Sequence, residues 1–221
     1  MPSLVREIGV LLKKEILLEW KQRFSFSGVM LYTLSTVYIC YLCFKQIIEP
    51  QTWNALYWIV LLFAATNAVA KSFMQESRGQ QLFYFTLLNP RAVILSKSIY
   101  NMLLLLLVSF INYLSYTLLL GNVVQDGFMF LWCMILGSFG LSIVLTLISA
   151  IVSRANNSAA LMAVLGFPVL IPLLITILKC SANSIDGLGW YVTQPYFIAL
   201  MGLDVMILTL SYLLFPYLWQ D

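Results

Sequence analysis

Charged residues are spaced along this chain so that they separate six long stretches, and these stretches contain one charge between them. A charge at the centre of a membrane-spanning helix costs about 2.5–3.5 kcal/mol, so uncharged stretches mark the segments that can cross a bilayer. The first stretch, 24–44, has 21 residues, and as a helix it would be about 31 Å long, close to the thickness of the hydrocarbon core. The predicted spans are about 24–44, 50–70, 98–120, 128–152, 159–178 and 196–218. At the start of the second span, Pro50, Trp53, Tyr57 and Trp58 are grouped like an interfacial belt.

The composition predicts an all-α polytopic membrane protein with one membrane domain over 1–221. Only 10% of the residues are charged, whereas a soluble domain carries about 25%. The net charge of +3 gives no reason to expect nucleic acid binding. The sequence has no histidine, the commonest general base and metal ligand, so we predict no catalytic residue and no metal site. Cys40 and Cys43 lie in a lipid-like run and are interpreted as small apolar residues.

The basic residues predict the orientation of the chain. Ten of the twelve Lys and Arg residues lie in 1–23, in 71–97 or at Arg154. Short loops rich in basic residues stay on the cytoplasmic side of a membrane. Both termini are therefore predicted to be cytoplasmic, which agrees with an even number of spans.

Residues 3–21 predict an amphipathic helix before the first span. Its apolar residues at helical spacing are Val5, Ile8, Leu12, Ile16 and Trp20. Such a helix, with a Lys-rich polar face, lies in the membrane interface and contacts lipid. Two roles stay open: an anchor only, or an active part in gating or partner contact.

The segment 71–97 is longer than tightly packed spans require. It begins with polar residues, continues as the apolar run 82–88 and stops at Asn89-Pro90. Asn before Pro is typical of the start of a helix, so a new helix is expected there that runs into the third span. The run 82–88 is too short to cross a bilayer and too apolar to face water. It is expected to pack under the spans, against another chain, or both.

Pro168 and Pro172 interrupt the fifth span. Proline inside a helix removes a backbone hydrogen bond and bends or breaks the helix. With the following segment 179–195, these residues suggest a re-entrant or half-length hairpin, and a simple kink is the alternative.

Asp204 lies eight residues inside the sixth span. An ionisable residue at this depth suggests a functional role. It is expected either to make a structural hydrogen bond to a neighbouring span, for example to Asn67 or Asn112, or to line a transport path.

Three parts of the sequence resemble the membrane subunits of type-2 ABC exporters, and among them the haem exporter protein B family, CcmB, of cytochrome c maturation. The cytoplasmic segment is similar at Glu76, Gly79, Leu87, Leu88, Pro90 and Lys97. The stretch 168–175 is similar to the Pro-x-x-Ile-Pro-Leu-Leu-Ile signature of the family's fifth span, and 214–219 also resembles the family. Asp204 matches no family position.

The resemblance implies a permease of the ABC-2 type in the bacterial inner membrane. Such a subunit pairs with itself and with a CcmA-like ATPase, beside CcmC-like, CcmD-like and CcmE-like membrane proteins. By analogy, an apolar set would sit in a groove of the ATPase, with polar residues and a glycine beside it. The apolar set is Leu82, Phe83, Phe85 and Leu88, and the second set is Glu76, Arg78 and Gly79.

The resemblance also implies that this chain holds no cofactor of its own. The sequence lacks the Gly-x-x-x-x-Gly-Lys-Ser/Thr phosphate-binding loop, so ATP is expected in the partner subunit. Haem is possible as cargo, and the ATPase cycle either exports it or releases a haem-loaded chaperone. The alternatives are an exporter of another lipid, polysaccharide or drug, and a membrane scaffold without transport. An intramembrane enzyme is disfavoured because the chain offers one deep carboxylate and no histidine.

Overall fold

The computed structural model describes residues 4–22, 24–44, 48–74, 89–154 and 159–220, and every regular element in these ranges is an α-helix. The helices are α1 Leu4–Gln22, α2 Phe24–Phe44, α3 Pro50–Met74, α4 Pro90–Leu120, α5 Gly127–Arg154, α6 Ala159–Ile185 and α7 Trp190–Gln220. Six of them, α2 to α7, are long and apolar enough to cross a membrane. The predicted all-α polytopic membrane fold is therefore confirmed.

The helix α4 begins where its sequence predicts. Asn89 lies in an extended conformation, and its side-chain oxygen accepts a hydrogen bond from the backbone N–H of Arg91 at 3.0 Å. Pro90 occupies the first helical turn, where its missing N–H costs nothing. With 31 residues, α4 is about 46 Å long and therefore longer than the hydrocarbon core of a bilayer.

The helix α5 lies at the centre of the bundle. It contacts α3, α4, α6 and α7, and 72% of its spanning residues are buried, compared with 22% in α2 and 28% in α7. Small buried residues on α5, including Gly137, Gly140 and Ser142, allow the neighbouring helices to approach. The other spans surround α5 and present apolar side chains outward, for example Leu31, Phe110, Phe167 and Val205.

Three aromatic residues at the start of α3 lie inside the bundle. Each of Trp53, Tyr57 and Trp58 is at most 1% exposed, so their rings face neighbouring helices rather than the outside of the bundle. The ring of Trp53 stacks on Tyr57 at 5.6 Å. Tyr57 Oη lies 2.7 Å from Ser109 Oγ, and Trp58 Nε1 donates to Ser181 Oγ at 2.9 Å. The polar atoms of Tyr57 and Trp58 thus find partners inside the protein, whereas Trp53 Nε1 is buried without a hydrogen-bond partner among the described residues.

The bundle has two distinct ends. At one, which we call the basal end, α3 finishes at Met74 and α4 begins at Pro90. The opposite end carries the connections 121–126 and 186–189, where the side chain of Gln125 occupies the space beside Gly187. Asp126 N–H also donates to the carbonyl of Ser184 in the last turn of α6 at 3.1 Å.

Candidate functional site

The residues predicted to contact an ATPase fall between α3 and α4, in a part of the chain that the structure does not describe. Glu76, Arg78, Gly79, Leu82, Phe83, Phe85 and Leu88 all lie outside the described residues. The two helix ends on either side are described. The described residues next to this segment are those that hold the beginning of α4 in place.

A compact apolar contact, which we call the basal cluster, surrounds the beginning of α4. Its buried members are Leu11, Ala92, Val93, Ile94, Ala150 and Phe215, and Ile8 and Leu95 pack against them. These residues come from α1, α4, α5 and α7. Four helices thus meet at the point where the undescribed segment joins α4.

Polar contacts add to the basal cluster. The guanidinium of Arg91 lies over the ring of Tyr212 at 4.8 Å, and its Nη1 lies 3.4 Å from Tyr212 Oη. Lys97 Nζ lies 3.4 Å from Glu15 Oε1, and the Lys97 side chain is only 2% exposed. Lys14 Nζ is at the same distance from that carboxylate oxygen. The first two turns of α4 are thus bound to α7 on one side and to α1 on the other.

One side of α1 packs against the bundle, and several residues of the predicted apolar face lie on the exposed side. Leu11 is buried and Ile8 packs beside it, whereas Val5 and Ile16 are 77% and 45% exposed. Glu15, a charged residue, belongs to the contact with α4 because it meets Lys97. The apolar pattern of α1 therefore contains two surfaces, one against the protein and one exposed, and hydrophobic spacing alone does not separate them.

Asp204 of α7 is buried, and neither carboxyl oxygen has a hydrogen-bond partner among the described residues. The expected partners make other bonds. Asn67 donates to the Phe63 carbonyl at 2.9 Å, and Asn112 Nδ2 donates to the Tyr57 carbonyl at 3.3 Å. The expectation of a hydrogen bond to either residue is therefore wrong.

Asp204 instead packs against α5. A Cβ atom placed at Gly140 would overlap Asp204 Oδ1 and would lie 2.8 Å from Leu173 Cδ1. The carboxyl group thus occupies the space of an absent side chain, where α5, α6 and α7 meet.

The helix α6 is continuous through both of its prolines. It extends from Ala159 to Ile185 with Pro168 and Pro172 inside it, and both prolines are exposed on the bundle surface. The break at these prolines and the re-entrant hairpin are therefore not formed. A four-residue connection, 186–189, joins α6 to α7.

Polar contacts between α4 and α5 were not identified from the sequence. Asn101 Nδ2 donates to Thr146 Oγ1 at 2.8 Å, and Ser142 Oγ lies 3.4 Å from the Ser98 carbonyl. Residues 138, 142, 146 and 149 of α5 are all Ser or Thr and buried. Their three- and four-residue spacing was a visible signal of one polar helix face. Such contacts hold membrane helices together.

No metal-ligand set emerges from this geometry. Among the residues that the structure describes, no three His, Cys, Asp or Glu side chains come together in an arrangement that could hold an ion.

Comparison with known proteins supplies a family. A family model described as CcmB protein matches residues 6–217, which includes all six spans. No curated protein shows a significant match to the chain.

Proposed function

The chain belongs to the CcmB protein family, and from this premise we propose that it is the permease subunit of an ABC transporter driven by a separate ATPase chain. Membership in the family supports a haem-exporter permease role in cytochrome c maturation. The observation that carries the proposal is the family match over residues 6–217 of a chain with six apolar helices.

The ATPase binds the segment between α3 and α4 in this proposal. Leu82, Phe83, Phe85 and Leu88 insert into a groove of the ATPase, and Glu76, Arg78 and Gly79 lie at the rim of that contact. Closing of the ATPase on ATP then pulls on the beginning of α4. The support for this step is the basal cluster, because a helix bound there to α1, α5 and α7 transmits a displacement to several spans.

The assembly contains two copies of this chain and two CcmA-like ATPase subunits in the bacterial inner membrane. Both termini face the cytoplasm, as the distribution of basic residues predicts. CcmC-like, CcmD-like and CcmE-like proteins are the further partners, and α1 contacts membrane lipid. ATP is bound by the ATPase, and haem is cargo or is carried by a released chaperone. Without histidine, this chain supplies no imidazole ligand to haem iron.

The proposed contact is tested by the double variant Phe83→Asp, Phe85→Asp. Two carboxylates in an apolar groove are costly to desolvate, so the ATPase should no longer copurify from native membranes. The matched control is Leu188→Asp, Tyr191→Asp, which changes two exposed residues at the opposite end of the bundle and should leave copurification intact. ATPase retained by the Phe83, Phe85 variant would contradict the proposal.

The role in cytochrome c maturation has a separate readout. A strain lacking the gene should regain covalent cytochrome c when it receives the wild-type chain or the Leu188, Tyr191 control. The Phe83, Phe85 variant should not restore it. If the wild-type chain binds the ATPase in this strain but does not restore covalent cytochrome c, the chain exports another substrate.

A further inference from the structure

Two cysteines lie side by side in the interior of the bundle. Cys133 of α5 and Cys180 of α6 are both fully buried, and their sulfur atoms are 3.1 Å apart. Both are thiols in the structure, as are Cys40 and Cys43. The separation is shorter than the ordinary contact between two unbonded sulfur atoms, so this is a close pairing of sulfurs and not loose packing.

The two helices are held in register on both sides of the pair. At the end of the bundle away from the basal end, Ser184 Oγ donates to the Asp126 carbonyl at 2.6 Å, and the Asp126 N–H donates to the Ser184 carbonyl at 3.1 Å. Towards the middle of the bundle, Gly137 leaves room for the side chains of Trp58 and Ile177. Because the backbone is held before and after the cysteines, the sulfur atoms are kept together by the fold itself.

The geometry excludes a metal between these sulfurs. A Zn–S bond is about 2.3 Å long and the ligands are tetrahedral, which separates two thiolates by more than the 3.1 Å observed. In the described ranges no further His, Cys, Asp or Glu side chain joins the pair as a ligand. Two arrangements of the pair are left: a disulfide bond between the two sulfur atoms, or two buried thiols.

We propose that Cys133 and Cys180 form a disulfide that links α5 to α6 in the mature protein. The pair lies near the opposite end of the bundle, which is the outer side in the orientation proposed above, where the environment favours oxidation. Each thiol gives up a proton, and two electrons pass to an external disulfide of a small thiol compound or a thiol-oxidising protein. That disulfide leaves as two thiols. Both sulfurs are buried in the finished bundle, so one thiol first exchanges with the external disulfide while α6 is still apart from α5, releasing one thiol. The other cysteine then attacks this mixed disulfide as the two helices come together, which forms the bond and releases the second thiol.

The link divides α6 into two parts. Cys180 lies eight residues beyond Pro172, or about 12 Å along the helix. The outer part of α6 is then bonded to α5, whereas the part that contains Pro168 and Pro172 is not held by the bond. Movement of α6 relative to α5 is therefore confined to its basal part.

The test counts free thiols in the full chain taken directly from cells. Cells are quenched in acid to stop thiol exchange, and the denatured protein is alkylated with N-ethylmaleimide and weighed by mass spectrometry. The expected result is two adducts per chain, on Cys40 and Cys43, rising to four after reduction. Four adducts before reduction would overturn the proposal.

Variants assign the bond to its residues. Cys133→Ser should give three adducts without reduction, because Cys180 is released. The double variant Cys40→Ser, Cys43→Ser should give none before reduction and two after it. Adducts on the remaining pair before reduction would show that the bond joins other cysteines and would also overturn the proposal. These outcomes do not depend on ATPase binding, so the disulfide and the proposed function fail independently.

Discussion

Gly140 illustrates how single residues determine the spacing of these helices. It lies on α5, and the carboxyl group of Asp204 and the side chain of Leu173 occupy the space that a larger residue would need. Close approach of backbones through small residues is a common way for membrane helices to associate. The contact places an ionisable side chain deep in the bundle, although neither of its oxygens has a partner in the described part of the chain.

The variant Gly140→Ala should destabilise the protein. The added methyl group would overlap Asp204 and press on Leu173, and overpacking of this kind typically costs about 1–3 kcal/mol. The measurement is thermal unfolding of the purified protein in detergent, where a lower midpoint is expected.

Two further variants make that result specific. Gly202→Ala on α7 has no atom within 4 Å of the added Cβ and should leave the midpoint unchanged or slightly higher. Adding Asp204→Ala to Gly140→Ala removes one of the overlapping groups, so the double variant should lose less than the two single losses combined. Equal midpoints for Gly140→Ala and the wild type would contradict the packing described.

At the scale of elements, α1 behaves as part of the bundle as well as a helix at its surface. Leu11 is buried in the basal cluster, and Glu15 reaches Lys97 of α4. The neighbouring Val10 is 65% exposed. The attachment of α1 to the bundle therefore depends on one side of the helix. Leu11 lies on that side and Val10 does not, so substitutions at these two neighbouring residues test the attachment.

The variant Leu11→Ala should loosen α1 from α4. Truncating a buried Leu removes apolar contacts and leaves a cavity, a loss of about 2 kcal/mol or more. A loss of about 2 kcal/mol corresponds to roughly 30-fold greater opening, which hydrogen exchange of the α1 amides in lipid nanodiscs measures. Val10→Ala should exchange like the wild type, within about 0.5 kcal/mol. Unchanged protection in Leu11→Ala would mean that α1 is held by other contacts.

For the molecule as a whole, the basic residues predict which end of the bundle faces the cytoplasm. Residues 1–23 and 71–97 hold nine of the twelve Lys and Arg residues, and both segments adjoin the basal end. Translocation of such segments across the membrane is disfavoured. The basal cluster and the proposed ATPase contact are thereby expected on the same side of the membrane as ATP.

Reporter fusions should find both termini in the cytoplasm. A fluorescent protein that matures only in the cytoplasm should be bright when it is fused at either terminus. Alkaline phosphatase, which is active only outside, should be inactive at the C-terminus and active when fused after Gly187 in the connection 186–189. An active phosphatase at the C-terminus would show that the chain has the opposite orientation. The cysteine pair would then lie near the cytoplasmic side.

Much of the helical arrangement along the chain follows from the sequence alone. A spanning helix satisfies its backbone hydrogen bonds within itself, and the bilayer sets its minimum length, so the charge spacing was enough to identify six spans. The start of α4 was also predictable, because Asn89 and Pro90 act on the turn that immediately follows them. The start of α4 depends on local sequence, and the spans depend on the bilayer as solvent. Neither depends on which helices are neighbours in the folded protein.

Apart from the Ser and Thr face of α5, which the sequence displays, the side of each apolar helix that faces protein is determined by the tertiary structure. Lipid is as apolar as a protein interior, so hydrophobic spacing does not distinguish a lipid-facing Leu from a buried one. For this reason the sequence did not show that Trp53 faces the inside of the bundle or that Asp204 packs against Gly140. The approach of Cys133 to Cys180 joins residues 47 positions apart. Contacts of this kind exist only after the helices have packed.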